Sequence, residues 1–369
     1  MNRIFPVLLE ILLNAGAARS NIIILIATGI HAPMSEDAIR KRLGIYSLDG
    51  LRVVNHDSQD LSTLDDLGSI HYEEGSMPIL INRNVTEADV VFSIGTIEPH
   101  IMAGFGGGYK NILPGCAGVD TVSATHLLGP AALRFGNVGR FPEDCAVRRR
   151  IDDAVRKVVP NCFIINTVLN SANDVAGVFC GKAEAAHRKG CETARRVWGA
   201  PLKERSDILL ASGYPMTHDF CQASKAFSTG IGAVKEGGMV LLALRCKDRL
   251  GDYCVSPTLM DYAEVKEIIR SHGTEYYVEA KRKELEKHNA SFQAMPFYEI
   301  FLTQSNAEAL RKADIYVYAP DIPFKTLSRF GLFKAFRTME SMIEEARARI
   351  PAAEVILSRS GGVCFPYFL

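Results

Sequence analysis

The chain reads as an α/β protein of two domains, with largely parallel sheets flanked by helices and the active site in the cleft between them. Three observations carry this. Short runs of Ile, Val and Leu without polar alternation recur along the chain, as strands covered on both faces require. Amphipathic helical patterns separate them, which is the signature of a parallel sheet. At 369 residues the chain exceeds one ordinary core.

The elements follow in order. "MNRIFPVLLEILLNAGAARS" combines Arg3 with an apolar run, as a signal peptide does. Pro6 and Glu10 interrupt that run, and Leu8, Leu9, Leu12 and Leu13 recur at helical spacing, so the reading is an amphipathic helix. Strands are expected at Asn21–Ala27, Leu51–Asn55, Pro78–Asn82 and Asp89–Gly95. Ser35 to Gly44 reads as a helix: Ser35 caps it, Glu36 and Asp37 sit in its first turn, basic residues come late, and Gly44 stops it. Lys182–Gly199 reads as a longer helix. The polar stretch Gly199–Asp207, with Pro201, reads as the linker. The domains are therefore expected at residues 1–200 and 207–369.

After the linker the alternation restarts. Strands are expected at Ile208–Ser212, Met239–Leu244, Asp314–Ala319 and Glu354–Ser358. Helices are expected from Asp219, between Leu259 and His288, and at Ala335–Ile350. In such folds ligands bind at the carboxyl ends of strands. His31, His100 and Lys225 all follow strands there.

Composition excludes several classes. Lys+Arg and Asp+Glu both number 42, so a balanced charge gives no reason to expect nucleic acid. No run approaches the roughly 18 apolar residues of a membrane span. Nine cysteines without a C-x-x-C pair argue for reduced thiols in a cytoplasmic protein.

The densest chemistry lies in "EPHIMAGFGGGYKNILPG", Glu98 to Gly115. Clustered glycines mean close approach to the main chain or positive φ. The loop fits neither common nucleotide template. Gly104 and Gly106 begin G-x-G-x-x-G, but Tyr109 stands at its last position; Lys110 lacks the flanks of G-x-x-x-x-G-K-[ST]. Taken alone, the loop is a glycine-rich turn with a solvated lysine.

It does not stand alone. "ATGIHAPMSEDAIRKRLG", "VNHDS", "EADVVFSIGTIEPHIMAGFGGGYKNILPGCAG", His126 in "SATHLLGP" and "CQASKA" occur in this order. Together they resemble the lactate racemase family, nickel-pincer enzymes that racemise or epimerise 2-hydroxy acids. The resemblance implies a role for each matching position. Lys110 takes the place of the lysine joined through a thioamide to a nickel-pincer nucleotide, nickel pyridinium-3,5-bisthiocarboxylic acid mononucleotide. Gly106, Gly107 and Gly108 would let that group lie against the backbone. His126 matches the histidine that completes nickel coordination, and imidazole suits that metal. His31 and His100 match the acid–base pair, and imidazole titrates in the range such work needs. Lys225 matches a lysine that contacts the substrate carboxylate, with Gln222 on the same helical face. The implied reaction is proton-coupled hydride transfer between the hydroxy acid and the pincer ring, through a 2-keto acid.

Lactate, malate, larger 2-hydroxy acids and sugar acids all remain open as substrates. Cofactor-maturation enzymes are implied as transient partners, and a homo-oligomer stays open. His56 reads as structural support; His71, His187, His218, His272 and His288 read as surface residues. The family's D-x-[TS]-R element, whose arginine clamps the substrate carboxylate, has no counterpart upstream of "NRIFPVLLE". That sustains an alternative: an impaired, truncated member that binds nickel or nucleotide without turnover. Cys221 stands where many relatives carry a larger polar or aromatic residue. A further alternative is a nicotinamide-dependent oxidoreductase, against which the failed dinucleotide fingerprint counts.

Overall fold

The computed structural model describes residues 1–73, 75–127, 137–251, 260–288 and 296–369. The contexts read at Leu128–Pro130 and Leu259 lie outside these. Helix α1 (Phe5–Asn14) buries Phe5, Leu8 and Leu9, as its spacing predicts. Strand β1 (Ile23–Ile26) leads to α2 (Glu36–Leu43). Ser35 Oγ accepts the Ala38 N–H, and Gly44 closes the helix at φ 71°. Strand β2 (Arg52–Asn55) pairs with β1 in parallel. Strands β3 (Leu64–Tyr72) and β4 (Gly75–Asn82) form an antiparallel pair, followed by the single turn α3 (Arg83–Thr86).

Strand β5 (Val91–Thr96) enters the glycine-rich loop, within which β6 (Pro99–His100) and β7 (Gly104–Phe105) make a minimal hairpin. Helices α4 (Val119–Leu127) and α5 (Ala146–Val158) follow. Strand β8 (Cys162–Leu169) pairs with β5 in parallel and with β9 (Val175–Lys182) in antiparallel fashion. Helix α6 (Ala183–Trp198) lies close against them, because Gly190 presents no side chain to Ile97.

The segment read as a linker contains a strand. β10 (Gly199–Leu202) pairs in parallel with the last strand of the chain, and β11 begins at Ser206. Its polar, proline-bearing sequence hid this, because the partner lies more than 160 residues away. The sheets are mostly parallel, as expected; the antiparallel pairs β3–β4, β6–β7 and β8–β9 are the departures. Full coverage of the early strands is not met either: β1 and β2 are half-buried, and Phe92 and Phe163 stack on each other at the surface.

Among the described residues, the second half builds one five-stranded parallel sheet. It runs through β11 (Ser206–Ser212), the short helices α7 (Phe220–Ala223) and α8 (Lys225–Gly230), and β12 (Val234–Ala243). Helices α9 (Tyr262–His272), α10 (Thr274–His288) and α11 (Pro296–Lys312) precede β13 (Asp314–Tyr318). Then come α12 (Phe324–Leu327), β14 (Lys334–Ala335), α13 (Met339–Arg349), β15 (Val355–Ser358) and β16 (Phe365–Phe368). The strand order is β14-β13-β12-β11-β15. Val240 and Leu242 pack into one core and Met239 and Leu241 into another, so both faces of β12 are covered. That is the pattern its unbroken apolar run predicts. No helix among the described residues is long and apolar enough to cross a membrane.

The chain end returns to the first half. Phe365 on β16 is buried and meets Phe105 of the glycine loop edge to face, at 6.0 Å between ring centres. Truncating so enclosed an aromatic leaves a cavity beside that loop. Phe365→Ala is expected to cost about 3–5 kcal/mol of stability, read as a lower urea midpoint; an unchanged midpoint would show that β16 is not structural.

Candidate active site

The glycine-rich loop is buried irregular backbone, so each of its polar groups needs a partner. Strands β5 and β8 provide several. Asn166 Oδ1 accepts the Gly108 N–H at 2.7 Å, and its amide donates to the Ser93 carbonyl. Ser93 Oγ donates to the Gly108 carbonyl and accepts from the Asn111 amide at 2.9 Å. Gly107 and Gly108 have φ of 69° and 61°, a region that favours glycine. A Cβ on Gly107 would meet Asn166 at 2.7 Å, and one on Gly108 would meet His187 at 2.9 Å. Closeness to protein therefore explains these two glycines before any ligand is considered.

Histidine 187 corrects an expectation. It is 3% exposed, not a surface residue. Its Nε2 lies 2.8 Å from the Gly106 carbonyl and 2.9 Å from the Arg148 guanidinium. Burial, then Arg148, hold it far below its ordinary pKa, so the ring is neutral. The other histidines behave as read: His71, His218 and His272 are exposed, while the side chain of His288 lies outside the described residues. His56 is buried support, with Asn82 on Nδ1 and Nε2 donating to the Ala117 carbonyl at 2.9 Å.

This scaffold presents Lys110 on a short turn, Gly108–Asn111. Burial lowers its pKa to about 8, with Arg148 and Lys225 adding repulsion and Glu98 opposing them. His100 is affected in the same sense: burial holds it well below its usual value, and Lys110, Lys225, His126 and Arg148 contribute. Its Nδ1 accepts the Met102 and Ala103 amides, both at 3.2 Å. That pattern assigns the proton of the neutral ring to Nε2.

His126 on α4 is pulled down to about 4, chiefly by burial, with Lys110 and His31 adding. Its Nδ1 donates to the Val122 carbonyl at 2.7 Å, which leaves the lone pair on Nε2. The ring meets Phe301 of α11 edge to face, at 5.4 Å between centres. His31 is exposed, on the turn after β1. That turn is tied to the end of the glycine loop by Gly29 N–H to the Gly115 carbonyl at 2.9 Å.

The second half contributes Lys225 at the start of α8. Its Nζ donates to Gln222 Oε1 at 2.6 Å, and Asp219 caps that turn through the Gln222 N–H. The Lys225 charge reaches Lys110, His100 and Glu98. Cys221 is buried. Glu98 is open to water yet ringed by protein; that enclosure raises its carboxyl, against the pull of Lys225 and Lys110.

His100 thus feels the charges of Lys110, Lys225 and His126, Lys110 acts on His126 and Lys225 on Lys110, and His31 joins the group through His126. Sequence reasoning missed Glu98, Asn166, Arg148, His187 and Phe301. Glu98 lay inside the quoted motif; the others carry no local signal. Among the described residues, no group of three or more His, Cys, Asp or Glu is placed to hold a metal ion.

Residues 1–132 match the family model described as Lactate racemase N-terminal domain. The lactate racemase of Thermoanaerobacterium thermosaccharolyticum is 32% identical over 234 residues, 63% of this chain and 54% of that protein. The lactate racemase of Lactiplantibacillus plantarum is 31% identical over 271 residues, 72% of this chain and 62% of that protein. The chain therefore spans between half and two thirds of the length of these relatives. The structure of the lactate racemase apoprotein from Thermoanaerobacterium thermosaccharolyticum matches with TM-score 0.76 at 24% identity, covering 94% of this chain and 78% of that one. A crystal structure of a protein from Thermotoga maritima matches with TM-score 0.68 at 17% identity, covering 98% and 89%. These two structures establish the fold.

A lysine near 8 is half neutral at that pH, whereas an ordinary lysine, at 10.5, is almost fully charged. Trace labelling with an amine-reactive anhydride, read by peptide mass, is expected to show Lys110 reactivity rising through about pH 8. A midpoint at the ordinary lysine value would contradict the geometry described.

Proposed function

The chain belongs to the lactate racemase family, and from that premise we propose that it racemises or epimerises a 2-hydroxy acid. Lactate is one candidate substrate, beside malate, larger 2-hydroxy acids and sugar acids. In this reading Lys110 Nζ carries a nickel-pincer nucleotide, His126 Nε2 is the protein's ligand to the nickel, and the bound group supplies the hydride-accepting centre. The donor set suits such a group. One amine is depressed toward its neutral, nucleophilic form, and one neutral imidazole keeps a lone pair on Nε2. A metal bound here needs further ligands from outside the described side chains, as a pincer provides.

The chain's own residues do the rest. Lys225, steadied by Gln222, attracts the substrate carboxylate. His31 and His100 exchange the hydroxyl proton from two sides of the ligand. With Nδ1 engaged by two amides, His100 exchanges its proton at Nε2. His31 is more accessible to water and lies on a different turn, so the two imidazoles are held independently. Joining the Lys110 amine in a neutral thioamide removes a positive charge that depresses both His100 and His126.

The observation that supports this reading is the mutual electrostatic influence among Lys110, His100, His126 and Lys225. The test is expression together with cofactor-maturation enzymes, followed by intact mass, nickel content and a racemisation assay on lactate and larger 2-hydroxy acids. Added mass on Lys110 is expected, and Lys110→Ala abolishes it. His126→Ala loses nickel but keeps the organic part. His31→Ala and His100→Ala keep the loaded group but lose about 10²–10⁴-fold in turnover. Racemisation that survives Lys110→Ala would refute the reading.

A further inference from the structure

The buried Arg148 of α5 has no part in the motifs or in the proposed chemistry. It is fully buried, and a buried guanidinium is costly unless its hydrogens find acceptors. Here the two terminal nitrogens find the glycine loop, while the buried Nε–H has no hydrogen-bond partner among the described residues. The terminal nitrogens donate to the Phe105 carbonyl at 2.7 Å, to Gly106 at 3.4 Å and to Gly107 at 3.1 Å. His187 Nε2 stands 2.9 Å from the same group. The counter-charge is Asp152, one turn along α5, at 3.4 Å.

We propose that Arg148 is the positioning residue of the lysine loop: its fork gathers three successive carbonyls and so fixes where Lys110, three residues on, stands in the candidate site. Asp152 holds the fork in place. A methyl on Gly108 would come within 3.3 Å of the guanidinium, so the loop and the arginine are fitted to each other. The fork also puts a permanent positive charge beneath the loop. Arg148 repels the Lys110 and His100 cations, the second function of the same side chain. A cavity of about 330 Å³ behind the loop, lined by Gly108, Tyr109, Asp152, Glu184 and His187, gives the Asp152 side of this clamp access to water.

The proposal rests on the reading of Lys110 as the reactive amine, but its test needs no cofactor and no turnover. Three variants of the full chain are compared: Arg148→Met, Arg148→Lys and Asp152→Asn. Two readouts are taken: amide hydrogen exchange of the Phe105–Lys110 segment, and the pH midpoint of Lys110 labelling. The charged groups acting on Lys110 are Arg148, Lys225 and Glu98. Exchange in the segment is expected to quicken about tenfold in all three variants, the scale of a lost hydrogen bond to a charged group. Arg148→Met also removes the charge, so the labelling midpoint moves up. One pKa unit cuts the neutral fraction at pH 8 from about one half to about one tenth, so labelling there slows about fivefold. Arg148→Lys keeps the charge and the midpoint while losing the fork.

Met342→Ala, buried in the core that holds Met239 and Leu241, is the control: it destabilises the chain without shifting the midpoint. If Arg148→Met does not fold, Arg148→Lys and Asp152→Asn still report on the loop through exchange. Loop exchange that stays at the parent rate in any folded variant overturns the proposal. Should exchange respond as expected while the mass experiment shows no modification of Lys110, the clamp stands and the racemase reading fails.

Discussion

Everything at the candidate site depends on one constraint: a stretch of irregular backbone is buried, and its polar groups must be satisfied by side chains. Asn166 and Ser93 satisfy Gly108 from the strand side. Arg148 satisfies Phe105 to Gly107 from the helix side. Such partners must come so close that only glycine fits at 107 and 108. The loop's poverty in side chains is thus what lets its partners reach the backbone. A buried network with most of its groups paired, all but the Nε–H on Arg148, has few arrangements that leave no further donor or acceptor unmet. Lys110 inherits its position from that network.

The electrostatics follow from the same burial. Lys110 and Lys225 lie within reach of each other, Arg148 lies beneath the loop, and Glu98 opposes them with a raised carboxyl. The imidazoles of His100 and His126 lie in this field and stay neutral. An enclosed site of net positive charge favours an anionic ligand. Neutral imidazoles suit metal ligation and proton acceptance, whereas imidazolium suits neither. Adding a carboxylate ligand, or removing the lysine charge, moves the histidines toward protonation. The charge of whatever binds here and the protonation of these histidines are thus linked.

Much of the fold could be read locally. The α2 helix declares itself through Ser35, its early acids and Gly44, all confirmed in the cap geometry. The β12 run is apolar throughout because both its faces are covered. Pairing across distance could not be read. Nothing in "GAPL" announces that it will pair with "FPYF" at the far end of the chain. Nor does a β-rich run say whether its neighbour will be parallel, as for β5 with β8, or antiparallel, as for β8 with β9. Strand polarity depends on the connection, not on the residues of one strand.

The sequence by itself determined the chemistry-bearing residue types and their order along the chain: two histidines after strands, a lysine after glycines, a third histidine on the next helix. Those are local patterns, and short spacings carry them. Only the tertiary structure decided which groups surround them. Arg148, His187 and Asn166 come from three separate elements, and Phe301 reaches His126 from the other half. Whether a buried arginine faces carbonyls or a histidine faces water is a property of packing between distant segments. No spacing along a chain encodes it, because the contacts exist only once the sheet and helices have closed around the loop.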